Sequence, residues 1–129
     1  MSGAGRGLLG LGIDDVDIAR LAAMLERRPA LADRLFTPLE QAYTRPMRRP
    51  VPSLAARFAA KEAVMKALGV GLGAFDFTDV GVRRDGLGPP VLVVEGRAAA
   101  LAAERGVTGW MVSLTHTDTV ASAVVAALA

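Results

Sequence analysis

At 129 residues, with 52% hydrophobic and 22% charged residues, the chain has the size and composition of one globular domain that buries its own core, and this excludes a disordered tail. Cysteine is absent, which removes disulfides, thiolate metal sites and thiol nucleophiles; the glycine-rich start from Met1 to Gly7 carries no apolar leader, no later run approaches membrane-spanning length, and the cytoplasm is the expected compartment. The net charge is only +2, yet of 15 basic residues just two are lysines, Lys61 and Lys66, placed together in one segment of a chain that elsewhere uses arginine.

Leu8 to Ile13 reads as an apolar strand running into the acidic cluster Asp14, Asp15 and Asp17. Asp17 is placed to cap a helix whose inward face is Ile18, Leu21, Ala22 and Leu25, with Arg20, Met24 and Arg27 as a second stripe at helical spacing. Thr37-Pro38-Leu39-Glu40 is a capping box with proline at the first helical position, so Glu40 is assigned to the cap and to no chemistry. Thr44 to Pro52 holds three prolines and three arginines and reads as a basic loop, after which Ser53 is expected to cap a helix running to Leu68 and stopped by Gly69. Phe75 to Arg84 and Val91 to Val94 read as strands joined through the Asp85-Gly86 turn region, and Arg97 to Arg105 as an alanine-rich helix ended by Gly106. Trp110 to Thr115 and Val120 to Leu128 complete the pattern as two strands joined by a tight turn near Thr117 and Asp118. The expected fold is a single α+β domain over residues 1–129, with helices packed on a mostly antiparallel sheet.

The helix from Ser53 to Leu68 carries the chemistry. At 100° per residue Leu54, Phe58, Met65 and Leu68 share one face, and Ala56, Ala59, Ala60, Ala63 and Ala67 occupy the opposite arc. Arg57, Lys61, Glu62 and Lys66 are interleaved with them, not gathered on one solvated side. An alanine face implies close packing, so this helix is expected to be embedded, and its charges must then be paired or face a ligand. Glu62 and Lys66 alone could be an ordinary helical ion pair, and Asp14 and Asp15 a polar strand end. Together, two carboxylate clusters beside several cations suggest a hard-cation and phosphate site, suited to Mg²⁺. His116 ends the strand that begins at Trp110 and is the only histidine. The glycines after Leu68 have neither Walker nor dinucleotide-binding spacing.

Three separated segments then occur in a telling order: Gly12-Ile13-Asp14, Arg57-Phe58-Ala59-Ala60-Lys61-Glu62-Ala63-Val64-Met65-Lys66-Ala67-Leu68-Gly69, and Ser113-Leu114-Thr115-His116. They closely resemble the signature segments of the holo-[acyl-carrier-protein] synthase family of phosphopantetheinyl transferases, as do Phe36-Thr37-Pro38 and Glu40, so that the likeness spans Leu9 to Leu128. The resemblance implies a Mg²⁺-dependent enzyme that moves 4′-phosphopantetheine from coenzyme A to a serine of apo acyl carrier protein, releasing 3′,5′-ADP. It implies Asp14 and Glu62 as magnesium ligands and Lys66 near the transferred phosphate, these three forming the catalytic set. Arg57, Lys61, Lys66 and His116 are implied at coenzyme A, and Arg20, with Met24 and Arg27 beside it on the stripe, at the carrier protein. It also implies a homotrimer with sites between subunits. Asp15 departs from the family, which usually has an apolar residue there, and is expected to meet solvent or a local hydrogen bond. Two competing readings are a relative that binds without turnover and an arginine-rich nucleic-acid binder, the latter opposed by an aromatic content of 5% with no aromatic inside the arginine loop. Neither nucleic acid nor membrane is expected as a partner.

Overall fold

One long helix lies at the centre of the chain, and glycine in the neighbouring strand is what lets it lie there. The computed structural model describes residues 7–129; of the glycine-rich start, residues 1–6 lie outside the described residues. In chain order the elements are β1 (Leu8–Asp17), α1 (Ile18–Arg27), α2 (Leu31–Leu35), α3 (Pro38–Thr44), α4 (Pro50–Leu68), a short 3₁₀ turn (Phe77–Asp79), β2 (Val80–Arg83), β3 (Val91–Val94), α5 (Gly96–Glu104), β4 (Gly109–His116) and β5 (Val120–Leu128). The strands form two antiparallel sheets, one of three strands in the order β1-β5-β4 and one hairpin, β2-β3.

Alternation in the strands decides where the helix goes. Ala121, Ala123, Val125 and Ala127 of β5 point to one face and are fully buried there, beneath α4. On β1 the same face is built from Gly10 and Gly12, and a methyl group added to either would lie 1.9 Å from the carbonyl oxygen of Ala67 or Ala63 respectively. The alanine arc of α4 therefore rests directly on the backbone of β1. Twelve of the helix's residues, from Pro52 to Leu68, are buried, so the expected embedded helix is observed. The other face of the sheet carries no covering layer among the described residues, leaving Leu9, Leu11 and Ile13 of β1 and Met111 of β4 exposed.

Several boundaries differ from expectation for physical reasons. The acidic cluster stays in β1, which runs four residues past Ile13, because Asp14 to Asp17 pair in register with Ala123 to Val120 of β5. The central helix starts at Pro50, not at Ser53: proline at the first position gives up no intrahelical bond, and Ser53 lies inside the first turns. Phe75 to Arg84 is a strand only from Val80, since Asp76 and Asp79 close a capped 3₁₀ turn before it. The expected caps are present: Asp17 accepts from the Arg20 amide at 2.9 Å, Thr37 and Glu40 form the reciprocal box, and Gly69 stops α4 with a left-handed φ of 69°.

Because the contact between β1 and α4 is backbone on backbone, Gly12→Ala is expected to cost at least about 2 kcal/mol in urea denaturation. Gly71→Ala, whose added methyl meets nothing within 4 Å, should change stability by less than about 0.5 kcal/mol.

Candidate active site

Two residues beyond Gly12, Asp14 lies on the same face of β1, and the close approach of α4 carries Glu62 and Lys66 to it. The Lys66 ammonium donates to Asp14 Oδ1 at 2.8 Å and to the Ile13 carbonyl at 3.0 Å. Lys66 thus hydrogen-bonds across to β1, and the alternative of a Glu62–Lys66 helical pair is not the bond it makes. Asp14 is 15% exposed and Lys66 55%, so the carboxylate is sheltered while the ammonium reaches solvent. Burial pushes the Glu62 carboxyl above the usual carboxylate range, and the neighbouring Asp14 charge pushes it further, with Lys66 opposing. The hydrogen bond to Asp14 raises Lys66 in turn. A cation beside Glu62 and Asp14 would offset the charge repulsion that raises Glu62.

Among the described residues no group of three or more His, Cys, Asp or Glu side chains forms a metal cage. A pair of carboxylates with the remaining positions left to water and phosphate oxygen is the donor set Mg²⁺ takes, so Asp14 and Glu62 fit the predicted ion. A cleft of about 480 Å³ lies beside them, walled by Glu62 and Phe58 of α4 on one side and by Arg20, Leu21 and Met24 of α1 on the other. The sequence-predicted stripe therefore borders the carboxylate site, although Arg27 lies beyond the cleft, exposed in the last turn of α1. Asp15 accepts a hydrogen bond from the Ser122 hydroxyl of β5, the local bond expected for it.

A second cleft, about 370 Å³, has no lining residue in common with the first. It collects Arg57 from α4, His116 from the end of β4, Arg49 from the arginine loop, and Arg84 and Tyr43, which the sequence did not single out for a site. No aspartate or glutamate lines it. Arg57 is 3% exposed, donates to Ser53 and stacks 4.7 Å from the Tyr43 ring centroid, but its Nε has no partner. Burial holds Arg57 below its usual value, with Glu40 and Tyr43 opposing and Arg84 adding to the depression. His116 is exposed, its Nδ1 3.1 Å from the Thr117 carbonyl.

Lys61, implied at coenzyme A, has a side chain that is 0% exposed. Its ammonium donates to Glu40 at 2.7 Å, to the Phe77 carbonyl at 3.1 Å and to the Val80 carbonyl, which uses all three of its protons. Glu40, assigned only to a cap, is the other half of this buried pair and also accepts from the Val82 amide at 2.9 Å. Burial lowers Lys61, and Glu40 opposes the shift.

A family model described as the 4′-phosphopantetheinyl transferase superfamily matches residues 10–126. The chain belongs to that superfamily. Holo-[acyl-carrier-protein] synthase of Streptomyces avermitilis is 53% identical over 120 residues, covering 93% of this chain and 97% of that protein. The crystal structure of the Neisseria meningitidis synthase aligns with a TM-score of 0.86 at 32% identity, covering 95% of this transferase and all of that chain. A Bacillus anthracis synthase in complex with CoA (3′,5′-ADP) aligns at 0.78 with 29% identity, over 95% of this chain and 97% of that one. The α+β fold of this transferase is thus shared along nearly its whole length. No helix among the described residues is long and apolar enough to cross a membrane.

The raised Glu62 carboxyl sets a pH dependence of stability. A carboxyl whose pKa is higher in the folded state stabilises below its unfolded value, near 4.3, and that contribution is lost as pH rises through the folded value. Glu62→Gln is therefore expected to raise the Tm by a few degrees in EDTA at pH 7.5, with a smaller gain at pH 4. Added Mg²⁺ should raise the Tm of the wild type and leave that of the variant nearly unmoved.

Proposed function

We propose that this chain is a magnesium-dependent holo-[acyl-carrier-protein] synthase, transferring 4′-phosphopantetheine from coenzyme A to a serine hydroxyl of apo acyl carrier protein. The observation that carries this reading is the convergence of Asp14, Glu62 and Lys66 at the β1–α4 contact, in a chain whose relatives bear that name. In the reaction the serine oxygen bonds to the β-phosphorus of coenzyme A, the bond from that phosphorus to 3′,5′-ADP breaks, and the serine proton passes to an oxygen base. Asp14 and Glu62 would hold Mg²⁺, which when bound would neutralise charge on the pyrophosphate. Lys66 hydrogen-bonds a carboxylate at one side of that site and is solvent-facing at the other, so its ammonium is free to follow charge on the transferred phosphoryl group. Arg57 and His116 hold the nucleotide portion in the basic cleft.

Arg20, Met24 and Arg27 are read as the docking surface for an acidic helix of the carrier protein. Arg20 and Met24 share a cleft with Glu62, so a protein docked there delivers its serine to the carboxylate site. The test is incubation with apo carrier protein, coenzyme A and Mg²⁺, followed by intact mass: one phosphopantetheine should be added, and no mass change would overturn the reading. In the same assay Arg20→Glu should raise the KM for carrier protein, leave that for coenzyme A nearly unchanged, and lose its effect as salt rises.

The two clefts support a homotrimer. Asp14 lies on one edge strand, β1, and His116 on the other, β4, with β5 between them, so a neighbouring subunit is what brings a basic cleft against a carboxylate site. The uncovered sheet face, with Ile13 63% and Met111 64% exposed, is the surface such a neighbour would bury. Sedimentation should give three chains for the wild type and a monomer without transfer activity for Ile13→Asp.

A further inference from the structure

The outer face of the three-stranded sheet is apolar over most of its length and turns polar at one end. Across the strands, Leu11, Ala126 and Met111 form one outward row, and four residues further along β1 Asp15, Ser122 and Thr115 form another. Asp15 is exposed, accepts from the Ser122 hydroxyl, and has no ion-pair partner among the described residues. One hydroxyl leaves most of a carboxylate's acceptor capacity unused. Thr115, also exposed, presents a hydroxyl on the far strand of the same row. A surface that covers such a face loses free energy at Asp15 unless it donates hydrogen bonds there.

The trimer reading says which surface this is. Asp14 and His116 lie on opposite edge strands at nearly one level: Asp14 is in register with Ala123, and Ala123 with Leu114, two residues from His116. A neighbour's basic cleft therefore reaches the carboxylate site only if β1 of one copy joins β4 of the next without a slide along the strands. That join sets Asp15 of one copy against Thr115 of the next. Within a single copy β5 lies between the two residues, and two strand spacings, about 10 Å, keep them from bonding directly.

We propose that Asp15 is a partner-selecting residue: its carboxylate, oriented by Ser122, accepts a hydrogen bond from the Thr115 hydroxyl of the next copy, and so restricts this face to copies of its own chain in one register. A polar group on an otherwise apolar contact selects against neighbours that leave it unpaired. The inference rests on the trimer reading, and gives a role to the residue at which this chain departs from its family.

The test is sedimentation and native mass spectrometry of the full chain without coenzyme A, with circular dichroism confirming that each variant is folded. Thr115→Val removes the hydroxyl and keeps the shape. It should raise the dissociation constant of the trimer at least about tenfold in the wild-type background, and by less than about twofold beside Asp15→Leu. Asp15→Asn, which keeps an acceptor, should retain most of the dependence on Thr115. Mixing Thr115→Val chains with Asp15→Leu chains separates a contact between copies from one within a copy. In a mixed ring a surviving carboxylate meets a surviving hydroxyl, so mixed trimers should exceed the proportion that random exchange gives. Equal weakening by Thr115→Val in both backgrounds, no weakening in the wild type, or mixed trimers at the random proportion would each overturn the role of Asp15. A wild-type chain that sediments as a monomer would instead overturn the trimer reading on which the role rests.

Discussion

The approach of α4 to β1 without intervening side chains is the constraint on which the rest depends. Gly10 and Gly12 bring helix and strand backbones together, with the carbonyl oxygens of Ala67 and Ala63 occupying the space of the missing methyl groups. At an ordinary helix–sheet distance, Asp14 and the Glu62–Lys66 turn would be separated by a layer of side chains. Here they are in hydrogen-bonding range, and the sheltered carboxylate has a cation beside it. The glycine of the Gly-Ile-Asp motif thus serves packing and chemistry at once, two residues before the acid it positions.

Embedding that helix creates a second requirement. A helix buried on most sides cannot leave its charges unmatched, and each of the four on α4 finds a different solution. Lys61 is neutralised by Glu40 and saturated by carbonyls; Arg57 stacks on Tyr43 and opens into a cleft; Glu62 borders the α1 groove; Lys66 bridges to β1 and reaches solvent. Those with unspent capacity, Arg57, Glu62 and Lys66, are the ones placed at clefts or the surface. The saturated one is structural.

Local signals were readable where local physics decides. Val91–Val94 and Val120–Leu128 are short β-rich runs bounded by turn residues, and both strands end where those residues fall. The caps at Asp17, Thr37 and Gly69 were legible because a capped end depends on three or four consecutive residues. Asp14, Glu62 and Lys66 were brought together as the motif implied, and Arg57 with His116 were gathered in a separate cleft. The enclosure of Lys61 is not legible in the sequence because its partners, Glu40, Phe77 and Val80, lie 21, 16 and 19 residues away, and no spacing rule connects them. The start of α4 is hidden by its prolines, which read as a loop although Pro50 and Pro52 both fall in the first turn, where no intrahelical amide bond is lost. Arg84 gave no signal because one arginine in a hairpin connection resembles any solvated charge; only the cleft that collects it distinguishes it.

The Glu40–Lys61 pair also does for β2 what a further strand would do. On the side away from β3, the Val82 amide donates to Glu40 and the Val80 carbonyl accepts from Lys61, so two side chains take up backbone groups that an edge strand would leave unpaired. A short, valine-rich hairpin with an open edge is a template for pairing with another chain. Here the template is blocked from within, by an ion pair too deeply buried for salt to screen. Damage to either partner would therefore favour misassembly through strand exchange and aggregation, long before it reached the chemistry one residue further along the helix.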